Sequence, residues 1–83
     1  MYPEGWLIDP KDKSLLLFQR DPSSSGKRVN GFIDKWSNNN GLPGDFRSRK
    51  KASSTQAIST WIELTENGWR RVDINYQGIG KAA

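Results

Sequence analysis

Residues 53–68 constrain the fold most, because both ends of one element are written there in local chemistry. Ser53 stands three residues before Gln56, the spacing at which a serine hydroxyl and a glutamine side chain satisfy the orphan N–H groups of a first helical turn. Ala57, Ile58, Trp61, Ile62 and Leu64 or Thr65 then recur at helical spacing as one apolar stripe. Gly68 is placed to turn the chain in a left-handed conformation, and Trp69 to touch back onto the last turn. The pattern predicts a helix over about 54–67, with Trp61 and Ile62 in its seam.

Short alternating or apolar runs separated by turn residues surround this helix. Trp6-Leu7-Ile8 reads as a first strand, ended by the turn-forming DPKDK. Ser14 to Arg20 reads as a second; its consecutive apolar residues predict cover on both faces and a central place in the sheet. After the loop RDPSSSGKR, Val29 to Trp36 reads as a third strand, with Phe32, Asp34 and Trp36 on one face. SNNNGLPG (37–44) reads as a mobile loop, since Asn and Gly tolerate left-handed backbone and Pro43 cannot donate to a ladder. Phe46 to Lys51 and Arg70 to Tyr76 complete the strands, and residues 77–83 read as a frayed tail. The expectation is a single α+β domain over residues 1–83: an antiparallel sheet of four to five strands with one helix across one face.

A chain of 83 residues has room for one core, and the absence of cysteine leaves packing alone to hold it, as is usual in a reducing compartment. The longest apolar run, Leu15 to Phe18, is far short of the ~20 residues of a membrane span, and the N-terminus lacks the layout of a signal peptide. These features predict a cytoplasmic protein without a membrane partner. The nine aromatic residues, four of them tryptophan, carry too much apolar area for a disordered segment.

With no histidine and no cysteine, the usual metal ligands, the commonest general base and the thiol nucleophile are missing together. Asp9, Asp12, Asp21 and Asp34 are scattered over turns and a strand without an acid–base spacing, and GLPG and GIG lack the context of phosphate loops. The sequence therefore points to a non-enzymatic binding module without metal or cofactor.

Charge is what remains. Residues 1–46 hold six basic and six acidic residues, whereas residues 47–83 hold seven and three, so the whole net charge of +4 lies in the second part. Arg47, Arg49, Lys50 and Lys51 crowd the approach to a helix N-terminus, where the helix dipole disfavours them, and Arg70 and Arg71 follow its far end. If both groups lie on strands of one sheet, they converge on a face for nucleic acid or an acidic protein surface; the bland alternative is a solvated flank. Trp36, beside the polar loop, is the candidate anchor for an apolar protein partner.

Gly5-Trp6-Leu7 with Asp9, Leu17-Phe18 followed by Arg20-Asp21-Pro22, Phe32-Ile33-Asp34, Arg47-Ser48-Arg49, Ala57 through Trp61, and Leu64 to Gly68-Trp69 together resemble a small domain family of unknown function from marine picocyanobacteria. That family tends to close on a proline-rich stretch ending in tryptophan, whereas this chain continues as VDINYQGIGKAA. The resemblance implies a cyanobacterial or cyanophage source and a cytoplasmic setting, and no mechanism. The element order is also similar to the sheet-plus-helix DNA binders of the plant AP2 and phage integrase arm-binding kind, a fold-level analogy in which the sheet meets DNA.

Overall fold

The computed structural model describes residues 2–24 and 29–74. The strands are β1 (Gly5–Ile8), β2 (Ser14–Arg20), β3 (Asn30–Asn39), β4 (Leu42–Ser53) and β5 (Arg70–Val72), with helix α1 (Ser54–Glu66) between the last two. They form one sheet in the order β4-β3-β2-β1-β5, every neighbouring pair antiparallel. β1 to β4 are a meander of successive neighbours, and α1 carries the chain from the β4 edge to the opposite edge, where β5 pairs with β1. The α+β architecture with one helix across an antiparallel sheet matches the reading of the sequence.

The run Leu15 to Phe18 does occupy the middle strand, and it divides by alternation. Phe18 and Leu16 join Tyr2, Leu7, Ile33 and Ala52 beneath the helix, which buries its own Ala57 against them. Leu15 and Leu17 join Trp6, Ile8, Trp36, Val72 and Ile74 on the other side. The sheet thus has an inner face under α1 and an outer face, and among the described residues no helix packs on the outer one.

Both helix ends follow the local signals. The Ser53 hydroxyl accepts from the Gln56 N–H, and the Gln56 side chain accepts from the Ser53 N–H. At the far end Gly68 has φ +98°, the Gly68 N–H donates to Thr65 O and the Trp69 N–H to Leu64 O, the two bonds of a Schellman motif. Trp61 packs inward, its ring edge-to-face with Phe18 at 5.0 Å between centroids.

Three expectations need correction. Ile62 is not in the seam: it is 50% exposed, and Ile58 is exposed too, because Ala57, Trp61 and Leu64 face the sheet and the neighbouring stripe turns away. SNNNGLPG is not a loop: β3 runs to Asn39 and β4 starts at Leu42, leaving Asn40 (φ 55°) and Gly41 (φ 89°) as a two-residue turn. Positive φ at both positions defines the tight hairpin turn that Asn-Gly favours, and Pro43 is tolerated because β4 is an edge strand. The last strand ends at Val72; Asn75, Tyr76 and the predicted frayed tail lie outside the described residues.

Candidate functional site

The expected meeting of basic groups does not occur, because β4 and β5 lie at opposite edges of the sheet. Three strands separate them, which at ~4.8 Å per step is about 19 Å. Arg71 opposes Leu7 on the inner face, with its guanidinium over Gly5. Arg70 opposes Ile8 and reaches Asp12 across 3.5 Å, with both side chains mostly in water. Lys50 opposes Ile33, which turns it to the inner side of β4.

The remaining basic residues belong to the outer face of the β3–β4 hairpin. Here the register sets Lys51 opposite Phe32, Arg49 opposite Asp34 and Phe46 opposite Trp36. A register shift between Lys35 and Trp36 leaves Arg47 at a bulge, next to Phe46. On this hairpin, residues 30–53, five basic residues stand against two acidic ones, Asp34 and Asp45.

Asp34 is the one buried charged residue among those described, at 2% exposure. Its carboxylate accepts from Arg49 Nε and Nη2, both at 2.8 Å, and from Gln19 Nε2 at 2.9 Å. A bidentate pair with a further donor is the arrangement that lets a carboxylate leave water. The same hydrogen bonds raise the Arg49 guanidinium above its ordinary value, against a smaller opposing effect of burial. Arg49 Cζ also lies 4.4 Å from the Phe32 ring centroid, while its side chain stays 50% exposed. Arg49 is therefore a plate of charge held by Asp34 over an aromatic ring.

Next to it, Phe46 is 51% exposed and sits edge-to-face against Trp36, centroids 5.3 Å apart and planes at 76°. Trp36 itself is half-buried, packed against the outer apolar cluster, and its buried indole N–H has no hydrogen-bond partner among the described residues. The candidate protein anchor is thus a buttress, and the ring it presents to solvent is that of Phe46. Exposed Arg47 and Lys51 flank the Phe46 and Arg49 plates. Lys51 lies near enough to Asp21 to help lower that carboxyl, although the Ser23 backbone N–H and hydroxyl do most of it.

At the other end of the hairpin, Ile8, Asp12, Asn38, Asn40 and Gly41 line an open cleft of about 490 Å³. The Asn38 amide there donates to Asp12 O and accepts from the Gly41 N–H, tying the hairpin turn to the β1–β2 turn. The cleft contains no nucleophile beside a base. Among the described residues no three metal-ligating side chains cluster, and no helix is long and apolar enough to cross a membrane.

Sequence reasoning missed Phe46, Phe32 and the Asp34–Arg49 pair. Their signal was the alternation Phe32-x-Asp34-x-Trp36 opposite Arg47-x-Arg49-x-Lys51, legible only once the strands are set in register. A family model described as "Protein of unknown function (DUF1651)" matches residues 4–76, a span running from before β1 to beyond β5. No curated protein and no solved structure matches the chain.

Proposed function

The chain belongs to the DUF1651 family of proteins of unknown function, and from that premise we propose that it is a non-enzymatic nucleic-acid-binding module acting through the outer face of the β3–β4 hairpin. One observation carries the reading: cations and exposed aromatic surface alternate on a single sheet face, with Arg47 beside half-exposed Phe46, Arg49 over Phe32, and Lys51 opposite Phe32. The cations suit phosphates and the flat rings suit bases, a pairing that a merely solvated flank does not need. A cytoplasmic setting in a cyanobacterium or its phage belongs to the same reading.

A second reading is a protein partner adding a strand along β4, favoured by Leu42, 49% exposed at the start of that edge. Pro43, the bulge and the lysines weigh against it, since these are the devices that keep an edge from pairing.

Binding of a labelled oligonucleotide, followed by anisotropy as salt is raised from ~50 mM, tests the first reading. Replacing Arg47 and Lys51 together by alanine should reduce the steepness of the log–log salt slope by about 1.4 to 1.8, at 0.7 to 0.9 per lost phosphate contact. The melting temperature should hardly move, because exposed charges contribute little to stability. Replacing Arg70 and Arg71 should leave the slope unchanged. Absence of binding by the wild type at ~50 mM salt would exclude nucleic acid as the partner.

A further inference from the structure

The most unusual groups on the outer face are planes, and planes distinguish between kinds of nucleic acid. Arg49 spends its Nε and one Nη2 donor on Asp34, at 2.8 Å each, so it is not placed to close a fork around a phosphate. What it offers outward is the half-exposed guanidinium whose Cζ lies above Phe32. Phe46 is held against Trp36 in a fixed edge-to-face contact with half of its surface in water. The half of that ring left in water contributes nothing to folding, since an apolar side chain stabilises only where it leaves water.

A duplex has little use for such plates: its bases are already stacked on one another, and a protein reaches only their edges in the grooves. Unpaired bases do present open faces, and they are bound by stacking on aromatic rings and guanidinium planes with cations beside them for the phosphates. On one face of a strand, side chains recur every ~6.8 Å, so Lys51 on one side of Arg49 and Arg47 at the bulge on the other set two uncompensated cations alongside the two plates. Positive charge complements a polyanion, and the only buried carboxylate of the hairpin is already neutralised by Arg49.

We infer that the outer face of the β3–β4 hairpin takes single-stranded nucleic acid, with bases stacked on Phe46 and on the Arg49–Phe32 plate and phosphates at Arg47 and Lys51. This rests on the nucleic-acid reading above and narrows it to unpaired strands.

The test uses the full chain and labelled homopolymers of thymidine or uridine, beside a blunt duplex of equal length. The expected result is tighter binding of a homopolymer than of the duplex, with the better homopolymer telling DNA from RNA. Phe46→Ala should weaken single-strand binding about 5- to 150-fold, the range spanned by one lost base–aromatic stack, and leave the salt slope and the duplex affinity unchanged. Phe46→Leu, which keeps apolar bulk against Trp36, should show the same loss, and Phe46→Trp should retain binding. Duplex binding as tight as single-strand binding, with Phe46→Ala and Phe46→Leu both unaffected, overturns the inference and leaves the nucleic-acid reading standing. Binding to none of the probes at ~50 mM salt overturns both.

Discussion

Tyr2 shows how one side chain closes the inner core. Its ring lies over Gly31, where an added Cβ would overlap the Gln19 carbonyl and the Tyr2 ring, and its hydroxyl donates to Ala52 O at 3.0 Å. The bond joins the N-terminal segment to the strand that leads into α1, 50 residues away in sequence. Burial raises the Tyr2 phenol above its ordinary 10.0, so the neutral, donating form is favoured in the folded state. The stability that this supplies is fully present below about pH 10 and is lost as pH rises through the higher folded value. Tyr2→Phe should cost about 1 kcal/mol near neutrality and abolish that alkaline loss. Melting curves of the two proteins at pH ~8 and ~11 would show it as a gap that narrows with pH; a gap of constant width would mean that the phenol does not titrate differently on folding. Nothing in the sequence marked Tyr2 for this role, because its partners are set by long-range pairing.

At the scale of elements, α1 was legible and the β3–β4 hairpin was not, and the difference is one of range. A helix is specified by residues within a turn of one another, so Ser53, Gln56 and Gly68 could be read directly. The hairpin needed Asn40-Gly41 to be recognised as its turn, yet three successive asparagines and a proline read as a polar loop. Even with the turn in hand, a regular ladder from Asn39↔Leu42 sets Asp34 opposite Arg47; the two shifts around Trp36 bring Arg49 there instead. Nothing in the local sequence marks where these two shifts fall. Gly41 at φ 89° has nothing within 4 Å of an added Cβ, so Gly41→Ala isolates the conformational term. It should cost about 1–2 kcal/mol, read as a lower urea midpoint with unchanged m-value. An unchanged midpoint would mean that the turn relaxes to a form without left-handed residues.

At the scale of the whole molecule, the fold class and the central place of β2 were visible in the sequence, whereas the candidate site was visible only as a list of charges. Alternation gave each strand two faces, but strand order decided which charges meet: β4 and β5 stand at opposite edges because α1 spans the sheet between them. The basic run 47–51 was thereby split into Lys50 on the inner side, Arg49 bound to Asp34, and Arg47 and Lys51 beside the aromatic plates. The same crossing of α1 covers the inner face, whereas among the described residues no helix covers the outer one and Phe46, Arg47 and Lys51 stand exposed on its hairpin, which is where we propose that a ligand binds. Amide chemical-shift mapping during titration with a single-stranded oligonucleotide at low salt tests this most directly. The account predicts perturbations concentrated on residues 32–36 and 46–51, with α1 and Arg70–Val72 silent. Perturbations centred on α1 or on Arg70–Val72 would contradict it.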